Sequence, residues 1–419
     1  MQSAATMRGK GEGSVFKDSR GLWTGVVELP QLNGERRRKV VRRKDKKALL
    51  AELANIRSEL EKRGDLPTKN QTAEQWFTYW VEKIAAKEVR PNTLDGYRRT
   101  VNNHIIPAIG KVKLDKITAA HVRRVHDAIL AKGLSSTTAL LAHRVMAVSF
   151  KIAIREGRIG RNPAELTAAP RKARPTLDAL DLSEALQFLE YAAHDPKRGA
   201  RSATALLSGA RRGEVIGLER DRVTDVLDLS WQLQRIKWQH GCGGECGRTP
   251  ALCPHRKTDD VPVDYEHRHV SGGLYLTRPK SSKSWRIVPL VGPLALILEK
   301  HMATTPENQW GLLFTNNGKP ISPDQASRDW RTDLVAAGIT KNVRLHDARH
   351  STVDLLYEAG LPEDIIQDIV GHSTRATTRG YRSPQNRKRL LAAMEQFAEL
   401  FSQLESKPLE ITRTPGTGA

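Results

Sequence analysis

The period of the hydrophobic positions changes along this chain, and each change marks a new module. Gly13-Ser14-Val15-Phe16 and Leu22 to Leu29 read as two short strands joined by a turn over Asp18 to Gly21, and Asn33-Gly34 is a hairpin signal. Val40 and Val41, set among basic residues, suggest a third strand. From Lys47 to Lys62 the spacing turns helical, with Leu49, Leu50, Leu53, Ile56 and Leu60 on one side. Residues 1–64 therefore predict a small three-stranded sheet plus one helix. After the linker Gly64 to Thr68 the pattern is helical throughout 70–168. Thr72 starts one helix, Pro91 lies near the start of a second, Thr118 caps a third and Ser135-Ser136-Thr137 opens a fourth. This predicts an all-α four-helix domain. Ala168 to Pro175 is a second linker. A larger mixed α+β domain, mainly helical with a small antiparallel sheet, follows over 176–385. Leu182 to Ala193 and Ser202 to Leu207 read as helices, Val226 to Trp238 and Leu274 to Leu290 alternate like strands, and helices resume near Asp324. Last, Leu390, Met394, Phe397, Phe401 and Leu404 form an apolar stripe over a helix predicted at 386–407.

Charge changes the picture. Among 419 residues, 68 Lys and Arg oppose 47 Asp and Glu, a net charge of +21. An excess of that size points to a polyanionic partner, most simply nucleic acid. It is densest at Arg36, Arg37, Arg38, Lys39, Arg42, Arg43 and Lys44, which predict a phosphate-contacting strand. No run approaches the roughly 18 apolar residues of a membrane span, and the start lacks the apolar core of a signal peptide. Both point to a cytoplasmic protein with no membrane partner. Three cysteines, an odd number, exclude a disulfide-stapled secreted scaffold.

Five separated segments carry candidate chemistry. They are Ser208-Gly209-Ala210-Arg211-Arg212-Gly213-Glu214, a hairpin turn Pro279-Lys280-Ser281-Ser282-Lys283-Ser284, the run Leu345-His346-Asp347-Ala348-Arg349-His350, Val370-Gly371-His372-Ser373, and Tyr381. Their order and spacing resemble the tyrosine recombinase (phage integrase) family. The resemblance covers most of the chain. It implies an arm-type DNA-binding domain over 1–64, a core-binding SAM-like helical domain over 70–168 and a catalytic domain over 176–385. It also implies an integrase that cuts and rejoins DNA at attachment sites through a 3′-phosphotyrosyl link formed by Tyr381. Arg211 and Arg349 match the arginines that grip the scissile phosphate, where fork-shaped donors suit growing negative charge. His346 matches the group that takes or orients the tyrosine proton, and Lys280 the general acid for the leaving 5′ oxygen. His372 matches a further phosphate donor and Glu214 a supporting carboxylate. Arg212, Lys283 and His350 are the respective rivals of Arg211, Lys280 and His346. The link conserves bond energy, so neither ATP nor a catalytic metal is needed. The family also implies core-type and arm-type double-stranded DNA sites, a homotetramer on DNA, and a host DNA-bending factor and an excisionase as partners. Competing readings are a type IB topoisomerase-like enzyme, a chromosome-resolution recombinase and a catalytically silent DNA-binding protein.

One stretch departs from the family. Residues 240–272 read as an insertion that holds all three cysteines, with Cys242, Cys246, Cys253 and His255 spaced C-x3-C-x6-C-x-H and His240 as a rival imidazole. Thiolates and imidazole are zinc's preferred ligands, so a structural zinc is one expectation and three free thiols the other. The C-terminal stripe needs cover. Docking in trans on a neighbouring subunit is favoured over packing on its own domain.

Overall fold

The structure is a computed structural model that describes residues 14–32, 35–63, 71–173, 178–258, 265–279, 285–371 and 384–402. The chain divides into two compact units, Met1–Val89 with Thr93–Arg174, and Arg90–Asn92 with Pro175–Ala419.

The first unit begins with an antiparallel meander of β1 (Ser14–Lys17), β2 (Trp23–Leu32) and β3 (Glu35–Arg43). The Asp18 carboxylate accepts from the amides of Arg20 and Leu22, and Gly21 takes a φ of 77°, which closes the first turn. The Asn33-Gly34 signal lies outside the described residues. Helix α1 (Lys46–Arg63) covers one face, burying Leu49, Leu53 and Ile56 against Val27 and Val41. Gly25 lets Leu53 pack closely there, since a Cβ would meet Leu53 Cδ1 at 2.6 Å and force the leucine to shift. Strand side chains alternate, so Val41 facing α1 sorts the basic run by parity. Arg38, Val40 and Arg42 take the open face. Arg43, on the helix side, pairs with Glu52 of α1. Arg36 and Arg37 belong to β3, and Lys44 follows it, exposed.

The helical part of this unit has four principal helices, as expected: α2 (Ala73–Tyr79), α3 (Pro91–Thr100), α4 (Ala119–Ala131) and α5 (Ser136–Arg155). Thr72 and Gln75 form a capping box on α2, and the Ser135 hydroxyl accepts from the Thr138 amide. The core gathers Trp76, Phe77, Trp80, Ile105 and Phe150, and Trp76 Nε1 donates to Ser149 Oγ at 2.8 Å. By length and composition, α5 alone among the described helices could cross a membrane, and half of it is buried inside the protein. Ala139, Ala142, Val145, Met146, Phe150 and Ala153 of α5 are buried in this core.

The second unit is mostly helical: α6 (Leu182–Ala193), α7 (Gly199–Ser208), α8 (Arg212–Ile216), α9 (Gly292–Thr304), α10 (Pro323–Ala336), α11 (Ala348–Glu358), α12 (Glu363–Val370) and α13 (Pro384–Glu399). Its strands are short: β4 (Val226–Asp228), β5 (Gln232–Arg235), β6 (Trp238–His240), β7 (Arg256–Thr258), β8 (His267–Ser271), β9 (Leu274–Thr277) and β10 (Ile287–Pro289), then a small hairpin at 315–320. The alternation over 226–238 is broken because Asp228 accepts from the Ser230 amide and turns the chain. Its pieces find different partners, β4 with β10, β5 with β9 and β6 with β7. Strand β8 falls inside the stretch read as insertion 240–272 and pairs with β9.

Helix α13 corrects another expectation. Leu390, Ala393, Met394, Phe397 and Phe401 are buried in the unit's own core, packed with β10, α9 and α12. The stripe is covered in cis, so the argument for docking in trans loses its unpaired apolar face. Leu404 lies outside the described residues.

Candidate active site

Helix α7 ends at Gly209 with φ 58°, and the chain restarts at α8 with Arg211 in the N-cap position. Glu214, three residues on, is buried. Its Oε2 accepts from the Arg211 amide and its Oε1 from Arg211 Nη1, each at 2.8 Å. Arg286, just before β10, meets the same carboxylate from the other side. Its Nη2 donates to Oε2 at 2.8 Å and its Nη1 to Oε1 at 3.2 Å, with both side chains almost free of water. Arg349, in the first turn of α11, sends Nη1 to the Gly209 carbonyl at 2.7 Å, and Arg286 Nη2 reaches that oxygen at 3.3 Å. Arg211 Nη2 donates to the Gly371 carbonyl at 3.3 Å. Arg211, Arg286 and Arg349 thus converge on one turn and on the end of α12.

Both glycines at this junction are needed. A Cβ on Gly209 would meet Val370 Cγ1 at 3.1 Å, and one on Gly371 would meet Arg286 Cδ at 3.1 Å, with φ positive at each. Burial resists ionisation of Glu214, but Arg286 and Arg211 outweigh it, and the carboxyl is held below its ordinary range. Glu214 is therefore an anion among guanidinium groups. That fixes Arg286 and leaves Arg211, about a third exposed (34%), able to face a ligand.

His346 and Arg349 do not share a helix. His346 sits in the turn before α11, and Asp347 occupies its N-cap. His346 is exposed. Partial desolvation lowers its pKa; Asp347 opposes this, while His350, Arg349 and Arg211 add to it. The neutral imidazole, able to accept a proton, is favoured. Asp347 is engaged by Arg344 at 2.6 Å, and α11 is tied to α7 by Thr352 Oγ1 donating to the Leu206 carbonyl at 2.7 Å.

Arg212, the rival of Arg211, is committed to Ser327 Oγ on α10 at 2.8 Å. Lys280, its rival Lys283, His372 and Tyr381 lie outside the described residues. Arg286 is the residue that sequence reasoning passed over. An arginine in an otherwise apolar strand, Trp285-Arg286-Ile287-Val288, was the available signal, because such a charge is buried only against a partner.

The metal-ligand expectation is corrected in one member. The atoms brought together are His240 Nδ1 and the sulfurs of Cys242, Cys246 and Cys253, all within 4.8 Å of one another. The imidazole at the thiols is that of His240 rather than His255.

The phage integrase family matches residues 256–388, and its N-terminal SAM-like domain matches residues 72–130. An integrase of Saccharopolyspora erythraea is 30% identical over 417 residues, covering 91% of this chain and 95% of that protein. The tyrosine recombinase XerD of Corynebacterium glutamicum is 26% identical, covering 72% of this chain and 91% of its own. Among solved structures, the Tn1549 transposon integrase in complex with a circular intermediate DNA superposes with a TM-score of 0.58 at 18% identity, covering 76% of this chain and 99% of that one. The lambda integrase tetramer bound to a Holliday junction gives 0.53 at 15% identity, covering 88% of this chain and 94% of that one. These two carry the fold; the Saccharopolyspora relative, matched almost end to end, carries the family. The chain belongs to the phage integrase family of tyrosine recombinases, enzymes that cleave and rejoin DNA site-specifically.

Proposed function

We propose that this recombinase integrates a phage or other mobile element at attachment sites, with Tyr381 as nucleophile. The Tyr381 oxygen attacks the scissile phosphorus and its proton passes to His346. The P–O bond to the 5′ oxygen breaks, and Lys280 protonates that oxygen. The product is a 3′-phosphotyrosyl link, which a 5′ hydroxyl later reverses. Arg211 and Arg349 neutralise the non-bridging oxygens, His372 donates to them, and Glu214 with Arg286 holds the arginines in place. The observation that carries this reading is the Glu214 carboxylate fixing Arg211 and Arg286 at the turn whose Gly209 carbonyl anchors Arg349. A group of arginines oriented beforehand stabilises charge without reorganising during the reaction. Neither ATP nor a metal enters these steps, and the Cys/His cluster takes no part in them.

Around this centre we assign the remaining roles. Residues 1–64 bind arm-type DNA, 70–168 grip core-type DNA together with the catalytic domain 176–385, and four chains act on paired sites. A host DNA-bending factor and an excisionase would set direction. The enzyme works on DNA in the host cytoplasm.

The test uses nicked suicide DNA carrying the attachment core. Wild-type protein traps a sequence-specific covalent adduct, and Tyr381→Phe binds the DNA but forms none. Arg211→Ala slows adduct formation by about 10²–10³-fold, the usual loss on removing one charge-stabilising donor. Lys280→Ala recovers on DNA with a 5′-bridging sulfur, a better leaving group. An adduct from Tyr381→Phe refutes the nucleophile, and a sequence-indifferent adduct would favour the topoisomerase-like reading.

A further inference from the structure

The segment from Trp238 to Thr258 is folded without a hydrophobic core. Strands β6 and β7 pair as Trp238 with Thr258, Gln239 with Lys257 and His240 with Arg256, and the Gly241 amide continues the ladder to the His255 carbonyl at 2.9 Å. Of the residues from Trp238 to Thr258, Cys253 alone is buried, and Leu252 is 64% exposed. A two-stranded hairpin with nothing apolar beneath it is marginal in water. A segment too small to bury a core is held by a covalent or metal cross-link instead.

We propose that His240, Cys242, Cys246 and Cys253 bind one structural zinc ion that fastens this hairpin. The distances fit. Zinc bonds of about 2.3 Å to sulfur and about 2.0–2.1 Å to nitrogen give tetrahedral edges of about 3.8 Å between sulfurs and about 3.6 Å between sulfur and nitrogen. Cys242 Sγ lies 3.5 Å from Cys253 Sγ and 3.8 Å from His240 Nδ1, and Cys246 Sγ lies 3.6 Å from His240 Nδ1. The sulfurs are too far apart for a disulfide, whose S–S length is about 2.05 Å.

The surrounding backbone also suits thiolates. The amides of Gly244 and Cys246 lie close enough to Cys242, and that of Arg248 to Cys246, to favour the thiolate form. Amides so placed orient and stabilise metal-bound sulfur. Gly243 and Gly244, with φ of 70° and 98°, give the tight turn that brings the Cys242 and Cys246 sulfurs back onto one point. Three soft sulfurs and one imidazole select zinc over magnesium or calcium, and four protein ligands leave no open position for catalysis.

The experiment uses the full chain without a polyhistidine tag, purified in the absence of chelator. Elemental analysis should return about one zinc per chain. Cobalt(II) replacing it should give thiolate charge-transfer bands and the intense visible bands of a tetrahedral site. His240→Ala and Cys242→Ser should lower zinc affinity at least about tenfold in competition with a chromophoric chelator, whereas His255→Ala should leave it unchanged. Chelation should expose Arg248, Arg256 and Lys257 to trypsin, and zinc should restore protection. Protein that neither carries zinc nor shows a tetrahedral cobalt spectrum overturns the site. Loss of metal from His255→Ala with retention in His240→Ala overturns the ligand assignment. Neither readout depends on recombination, so the site and the catalytic reading can fail independently.

Discussion

Glu214 holds one carboxylate between two guanidinium groups with almost no water beside it. Removing it leaves Arg286 as a buried charge with no anion. Breaking one side of a buried pair costs about 3–5 kcal/mol, so Glu214→Ala should lower the unfolding free energy of the catalytic unit by that amount in urea titrations. The pH dependence follows from the same contacts. The folded pKa of Glu214 lies below its unfolded value. Its contribution to stability is therefore complete above the ordinary carboxylate range, about 4–5, and is lost as pH falls through the lower folded value. His346 acts in the same direction nearer neutrality, because its folded pKa is also depressed. Stability at neutral pH should decline on acidification, beginning near the ordinary histidine value of about 6.5. His346→Ala should shrink that first step, to which His104, His126, His143 and His301 contribute in the same direction, and Glu214→Gln should shrink the later one, which it shares with aspartates such as Asp195 and Asp347, in denaturation curves collected across pH.

At the scale of elements, α13 and β3 make opposite points. The stripe on α13 ends in a burial site, where Phe397 and Phe401 meet edge to face with ring centroids 5.3 Å apart. Phe397→Ala should cost about 3–5 kcal/mol, the usual loss for a fully buried phenylalanine. A chain ending at Asn386 should fail to give a folded catalytic unit by near-UV circular dichroism. The stripe was plain from its spacing. What covers it was not, because periodicity specifies an apolar face and says nothing about which surface meets that face. In β3 the charges were equally plain, but their division between two faces waited on the sheet register. On the proposal that this module contacts DNA, Arg38→Ala should reduce the slope of log affinity against log salt by about 0.9. Arg43→Ala should change the slope less, since Arg43 is paired with Glu52. Filter binding to arm-type DNA across a salt series distinguishes these outcomes.

For the molecule as a whole, two units with separate hydrophobic cores imply separable folding. The helical core around Trp76, Phe77, Trp80 and Phe150 is complete within 71–173. That fragment, expressed alone, should unfold cooperatively on heating by far-UV circular dichroism. A gradual, featureless melt would show that it draws stability from elsewhere in the chain.

The sequence by itself determined the N-terminal three strands and helix, the helix caps at Thr72, Thr118 and Ser135, and the family, because these rest on residue type and spacing within one segment or on the order of short motifs. Arg211, Glu214, His346 and Arg349 were legible for the same reason. Tertiary structure alone decided which distant groups meet. It set Arg286 against Glu214 across 72 residues, gave the three thiols His240 instead of His255, split the basic strand between two faces and returned α13 to its own core. Each of these depends on strand register or on helix packing. A register shift of one residue reverses every side chain, and a buried charge finds its partner only after the chain has closed around both.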